Sequence, residues 1–299
     1  MARLNYFVVT FDNRGVGTTK IHGIEPFRQR VASGEEKIMP NLEFLYAGNF
    51  EKASSEDPAL FSYDDMANDV VEILDFYKIE KAHILGASMG GQITTLVGIR
   101  NPTRCLSLTV IMSASPINEA VVLGMKKNAK FFKEFMTPEF PQIGDSLEEA
   151  KRKFLGGRAS IEVDGIMKKA DQDALKGLEF FEIDFKRGGA DLQDPNTGLR
   201  FGDVLQSLAQ QLWLTTDEYR NIDMHLRNIN IPTIFIGGIQ DPIIPIEMQR
   251  ETCNKIKGAR IYEFNCGHEM PSRFTAAYVS ILNSHFIASS GKGWGSSRL

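Results

Sequence analysis

Gly86-Ala87-Ser88-Met89-Gly90-Gly91 constrains the fold of this chain more than any other stretch. An apolar run, Ala82-His83-Ile84-Leu85, precedes it, and Gln92-Ile93-Thr94-Thr95-Leu96-Val97 follows. The order is strand, sharp turn, helix, with a serine at the apex and small residues on both sides. A serine held in such a turn has a strained backbone, and side chains two positions away would meet the neighbouring strand and helix. The turn lifts the hydroxyl above the sheet edge and aims a helix N-terminus at whatever binds there. The bland alternative is a simple tight turn, which has no need of small residues at four flanking positions.

A serine hydroxyl is a weak nucleophile until a base takes its proton, and the base needs an orienting acid. Both are present further along the chain. Pro232-Thr233-Ile234-Phe235-Ile236-Gly237-Gly238 reads as a buried strand, with Asp241-Pro242 in the loop after it. Arg260-Ile261-Tyr262-Glu263-Phe264 reads as the next strand, followed by Asn265-Cys266-Gly267-His268. Each candidate falls just past the C-terminal end of a strand, where ligand sites gather in open α/β sheets. The expected roles are Ser88 as nucleophile, His268 as general base and acid, and Asp241 as the residue orienting His268. Taken alone, Asp241 reads equally as a helix N-cap or an Asx-turn before Pro242. His22, His83, His225 and His285 read as structural, since no pair has metal-ligand spacing.

These stretches, together with Val8-Val9-Thr10-Phe11-Asp12-Asn13-Arg14-Gly15-Val16-Gly17 and Tyr63-Asp64-Asp65-Met66-Ala67-Asn68-Asp69-Val70, resemble the α/β-hydrolase superfamily. Within it the chain is similar to the aclacinomycin methylesterase-like branch of serine esterases. The resemblance implies an α/β-hydrolase fold, a mostly parallel sheet flanked by helices, and a Ser-acid-His order along the chain. It also implies an oxyanion hole built partly from the N–H of the residue after the nucleophile, here Met89. Family members begin with a strand pair and a third strand whose small-residue turn supplies the second oxyanion donor. This chain enters directly, after Met1-Ala2-Arg3-Leu4-Asn5, what resembles the fourth strand, Tyr6–Phe11. The expectation is an N-terminally truncated core lacking the usual first three strands, with a fragment favoured over a genuine short form. An unpaired edge on the Tyr6–Phe11 strand would invite self-association.

Composition agrees with a globular enzyme. The chain has 299 residues, enough for one large α/β domain and an insertion. A net charge of −4 with 24% charged residues leaves no electrostatic footprint for nucleic acid. No apolar stretch approaches the roughly 20 residues that span a bilayer, and the N-terminus has no signal-like apolar region. The three cysteines, Cys105, Cys253 and Cys266, lack framework spacing, so a reducing, cytoplasmic compartment is expected. No cofactor and no metal are implied.

Two core segments, 1–116 and 230–299, are expected to enclose a helical cap at 117–229. Residues 18–61 read mostly as loop. Ser62 begins a helix with Asp65 three positions on, as in a capping box. Met66, Val70, Ile73, Leu74 and Tyr77 form its buried face. Leu106 to Met112 reads as a buried strand, and Ile246 to Lys257 and Ser272 to Ala288 as the closing helices. Within the cap, helices are expected at 121–136, 147–154, 161–176, 204–213 and 216–226. Phe131, Phe132, Phe135, Met136 and Met167 are candidates for an apolar pocket, or for the cap's own core. The tail from Gly291 is expected to be disordered. The function this supports is hydrolysis of a carboxylic ester of a small apolar substrate through an acyl-enzyme. The competing expectation, from the absent oxyanion strand, is a non-catalytic or weakly active binding protein.

Overall fold

A computed structural model of the chain describes residues 1–16, 19, 61–116, 145–159, 182–183, 185–186, 206, 209–210, 213–214, 216–268 and 274–291. The loop expected at 18–61 lies outside them except for residues 19 and 61, and so does His22. So do the helices at 121–136 and 161–176, the five pocket candidates Phe131, Phe132, Phe135, Met136 and Met167, and residues 292–299.

Four strands form one parallel sheet: β1 (Ala82–Ala87), β2 (Cys105–Ile111), β3 (Thr233–Gly238) and β4 (Arg260–Phe264). Their order across the sheet, β1-β2-β3-β4, is their order along the chain. Leu108 pairs with Thr233, and Ile234 with Arg260, so the C-terminal ends line up at one sheet edge. β2 and β3 are apolar and buried over most of their length, as expected for strands covered on both faces. Ile111, Ile234 and Ile236 pack against Leu282, Phe286 and Cys266 on one face.

Helices α1 (Tyr63–Phe76) and α2 (Met89–Arg100) flank β1 in sequence. The Ser62 hydroxyl accepts from Asp65 N at 3.1 Å, and Asp65 Oδ2 accepts from Ser62 N at 2.7 Å. Both halves of the expected capping box are therefore made, satisfying two otherwise orphaned N–H groups. On α1, Met66 and Leu74 are buried, but Tyr77 is 47% exposed, unlike the expected face. Tyr77 is the C-cap, past the last helical turn, and its ring meets Phe7 and Phe76 edge-on. α2 is buried from Gly91 to Gly98, polar Gln92, Thr94 and Thr95 included. After helix α3 (Leu147–Ala159) come the short helices α4 (Asp217–Arg220) and α5 (Ile222–Arg227). The single helix expected over 216–226 is broken at Asn221, where the backbone leaves helical geometry (φ −107, ψ 16). α6 (Ile246–Lys255) and α7 (Thr275–Ser289) close the chain.

The strand expected at Tyr6–Phe11 is not one, and the exposed N-terminal strand edge it was to offer is absent with it. Residues 6–13 carry no strand, and among the described residues no ladder bonds reach Phe7 to Phe11. An apolar run becomes a strand only where a neighbour satisfies its N–H and C=O groups. Here Phe7 is 71% exposed and Val8 48%, while Tyr6 turns in against the core. Its hydroxyl donates to Asn283 Oδ1 at 3.0 Å and its ring meets Phe286 edge-on.

By contact density the chain divides into two units. Residues 1–9, 62–125 and 213–299 make the first, which holds the whole sheet. Residues 10–61 and 126–212 make the second. In it α3 is fastened by Lys153, whose Nζ donates to both oxygens of Asp145 at 2.7 and 3.0 Å.

His83 on β1 is held without charge. Its Nδ1 lies 2.8 Å from Ser107 Oγ, its Nε2 3.1 Å from Ser290 Oγ, and its ring stacks on Phe286. Burial, helped by the nearby His285, pushes its pKa down to about 4. In the unfolded chain the same imidazole titrates near its ordinary 6.5. Between those values the unfolded state binds the extra proton, so stability is full above pH 6.5 and falls as pH drops towards 4. Scanning calorimetry should show a melting temperature that declines across this window. The decline should be shallower in His83→Gln, which keeps hydrogen-bonding capacity but cannot be protonated.

Candidate active site

Three loops at the C-terminal edge of the sheet converge on one point. The first is the turn between β1 and α2. Ser88 sits there at φ 52, ψ −119, a region L-residues avoid, at a cost of about 1–3 kcal/mol. Two contacts hold it in place. Ser88 N donates to Ile111 O at 2.8 Å, extending the β1–β2 ladder into the turn. Gly86 lets the turn close, since a Cβ there would lie 2.0 Å from Gly90 O. The expected crowding does not extend to Gly90, where a Cβ would meet nothing within 4 Å among the described residues. Of the two conventional glycines, the first carries the steric requirement.

The second and third loops are joined to each other. Ile239 N donates to Phe264 O at 2.9 Å and Gln240 N to Cys266 O at 3.0 Å, so the β3–β4 pairing continues beyond both strands. Asp241 follows one rung and His268 the other. Gly238 makes this approach feasible: a Cβ there would sit 2.2 Å from Gly267 O and 2.6 Å from Cys266 O. Because those atoms are backbone, Gly238→Ala has to push the His268 loop away. A misplacement of about 1 Å costs on the order of 10²-fold in rate. Gly238→Ala is expected to show that loss in kcat while the sheet's circular dichroism is retained.

His268 Nε2 lies 2.9 Å from Ser88 Oγ, and His268 Nδ1 lies 2.8 Å from Asp241 Oδ2. Thus the structure brings together the three residues that the sequence separates by 180 and 27 positions. The Asp241 side chain is fully buried and the His268 side chain 18% exposed. In that dry position both oxygens of Asp241 are met by donors. Oδ1 accepts from the N–H groups of Ile243 and Ile244, both at 2.9 Å. Oδ2 accepts from His268 Nδ1–H and faces the amide nitrogen of Gln249 at 3.4 Å. With Oδ2 as acceptor, Nδ1 must carry the ring proton, which leaves Nε2 unprotonated towards Ser88 Oγ. The arrangement can therefore take a proton from the serine hydroxyl. Met89 is the first residue of α2, so its N–H is among those no helical carbonyl reaches.

The other sequence candidates lie apart from this point. His83 and His285 belong to the core under α7, His285 Nε2 being 3.2 Å from Leu108 O. The three cysteines are buried, and burial pushes the Cys105 and Cys253 thiols up to about 11, which makes them poor nucleophiles. No group of three or more His, Cys, Asp or Glu able to hold a metal occurs among the described residues. No described helix is long and apolar enough to cross a membrane. Gln249 was missed from the sequence. Its signal was a polar residue on an apolar stripe, Ile246, Gln249 and Cys253, at i, i+3 and i+7 of α6.

A parallel α/β sheet with a strained serine between strand and helix, and with acid and histidine past two later strands, defines the architecture of the hydrolases that carry a nucleophile on a turn. The chain belongs to the alpha/beta hydrolase fold family, whose model matches residues 1–271. It is 24% identical over 224 residues to a rhodomycin D methylesterase of Streptomyces peucetius, covering 71% of this chain and 68% of that one. It is 23% identical over 260 residues to 3-oxoadipate enol-lactonase 2 of Acinetobacter baylyi, covering 86% and 83%. Among solved structures, an enol-lactonase of Burkholderia xenovorans is 15% identical, covers 77% of this chain and 75% of its own, and has a TM-score of 0.48.

Proposed function

We propose that the protein hydrolyses a carboxylic ester of a small apolar molecule through an acyl-enzyme on Ser88. The observation that carries this is the continuous contact from Ser88 Oγ through His268 to Asp241, at 2.9 and 2.8 Å. The two relatives named above, a methylesterase and a lactonase, act on ester bonds by name, which supports the reaction class.

In the proposed sequence His268 Nε2 takes the Ser88 proton as Oγ adds to the ester carbonyl. Negative charge develops on the carbonyl oxygen and is met by the Met89 N–H at the start of α2. The tetrahedral adduct collapses, the alcohol leaves with the proton from His268, and the acyl group stays on Ser88. Water then enters and adds to the acyl carbon as His268 takes its proton; the adduct collapses, the bond to Oγ breaks, and His268 returns that proton to Ser88 as the acid is released. Asp241 holds the imidazole in place and stabilises the imidazolium each time it forms. No step calls for a cofactor.

The division into a core of 1–116 and 230–299 with a helical cap at 117–229, and a cytoplasmic setting, belong to the same proposal. The decisive experiment is labelling of the folded chain with a fluorophosphonate probe, beside Ser88→Ala. Stoichiometric labelling confined to the wild type, at Ser88 by mass spectrometry, supports the esterase reading. A cooperatively folded chain that stays unlabelled overturns it in favour of a binding role.

A further inference from the structure

We infer that Gln249 is a positioning residue of the proposed site: its amide group holds the Asp241 carboxylate and thereby sets the basicity of His268. The inference rests on the triad reading above and extends it to a residue that touches neither substrate nor serine. Gln249 is fully buried on α6. Its Nε2 donates to Ile244 O at 2.8 Å and faces Asp241 Oδ2 at 3.4 Å. Both neighbours are acceptors, so the amide can only sit with its NH₂ towards them. The flipped amide would set Oε1 against a carboxylate oxygen and a carbonyl oxygen. In the orientation that fits, Oε1 finds no donor among the described residues. A buried amide oxygen left unpaired is costly. It is tolerated here while the same side chain's NH₂ is directed at the acid.

Space for this side chain is made by β3. A Cβ on Gly237 would lie 2.6 Å from Gln249 Oε1 and 2.5 Å from Ile246 Cδ1. The helix itself is tied down one turn later, where Thr252 Oγ1 donates to Ser115 O at 3.1 Å and accepts from Ser115 N at 3.0 Å. Gln249 thus comes to Asp241 from a fixed direction. With it, the carboxylate has two donors on Oδ1 and two on Oδ2, filling its acceptor sites. Without it, His268 is the single side-chain donor left to Oδ2. The carboxylate's charge then falls more heavily on the imidazole, so His268 holds its proton to higher pH. The carboxyl plane also loses one of its restraints.

The test uses the full chain with Gln249→Met, close in length and shape but without donors, and Gln249→Glu, which replaces the NH₂ by oxygen. Three quantities are read: fluorophosphonate labelling rate against pH, unfolding temperature, and the low-field proton resonance of His268 Nδ1–H. Expected for Gln249→Met is a labelling rate about tenfold lower at neutral pH, with the acid limb moved to higher pH and the resonance displaced. Gln249→Glu should also displace the acid limb and the resonance, because two carboxyl groups at that separation cannot both ionise and so share a proton that the amide never offered. An unchanged pH profile and an unchanged resonance in a folded variant overturn the inference, even if the unfolding temperature drops. If the Met variant does not fold, the profile of the Glu variant decides by the same criterion. A wild type that stays unlabelled refutes the esterase reading, whereas the resonance still shows whether Gln249 acts on the Asp241–His268 pair.

Discussion

Ser88→Ala and His268→Ala are each expected to lower kcat for ester hydrolysis by about 10⁶, and the double variant by no more than either alone. The reason is that the two side chains act as one group. Ser88 Oγ is a useful nucleophile only while Nε2, 2.9 Å away, accepts its proton. Nε2 in turn has nothing to deprotonate once the hydroxyl is gone. On the proposed route, whatever rate survives comes from binding and from charge stabilisation at the Met89 N–H, which none of the three variants touches. Steady-state kinetics on a short-chain aryl ester would check this, with KM little changed. Losses that multiply in the double variant would mean that the two residues work independently, and the acyl-enzyme route would have to be given up.

Asp241→Asn is expected to lower kcat by about 10⁴ while leaving the fold intact. The direction follows from the donors around the carboxylate. Oδ1 accepts from two backbone N–H groups, of Ile243 and Ile244, so the oxygen of an asparagine must stay there. Its NH₂ then falls at the Oδ2 position, against His268 Nδ1, 2.8 Å away. Two donors cannot share that contact, so Nδ1 gives up its proton and Nε2 carries it instead. Nε2 then faces Ser88 as a donor and cannot act as base. Fluorophosphonate labelling should slow with kcat, and recover in part at high pH, where hydroxide can take the serine proton without help. An Asn variant with wild-type kcat would remove Asp241 from the site.

Much of this site could be read from residue order. Ser88 was legible because strand, small residues and helix adjoin it in sequence. Asp241 and His268 were legible because each follows an apolar run by a few residues, and parallel strands bring such loops to one edge. What could not be read depends on partners distant in sequence. Tyr6 to Phe11 has strand composition but no ladder among the described residues, and local composition does not report pairing. Gly90 belongs to the motif yet has room for a Cβ among the described residues, whereas Gly86 is packed to the point of contact. That difference exists only in three dimensions. Gln249 looked like an ordinary polar residue of a helix until β3 was placed beneath it. The break at Asn221 was hidden because Tyr219, Ile222 and Leu226 keep helical spacing across it.

The adjacency of β2 and β3 has a consequence for how such a protein can diversify. The ladder from Leu108–Thr233 to Ile111–Ile236 fixes both ends of everything the chain does between Ile111 and Thr233. Changing the length of a segment whose ends are already clamped alters closure entropy only logarithmically, by about 0.6 kcal/mol per doubling. Residues 126–212, outside the unit that holds the sheet, can therefore be lengthened or shortened at small entropic cost, while the hydrogen bonds that aim Ser88, Asp241 and His268 stay within the sheet and its extensions. Selection for new substrates could act on that interval as a replaceable cassette. A grafted interval from another member of the family would test whether specificity moves with it while the proposed Ser88–His268–Asp241 site stays unaltered.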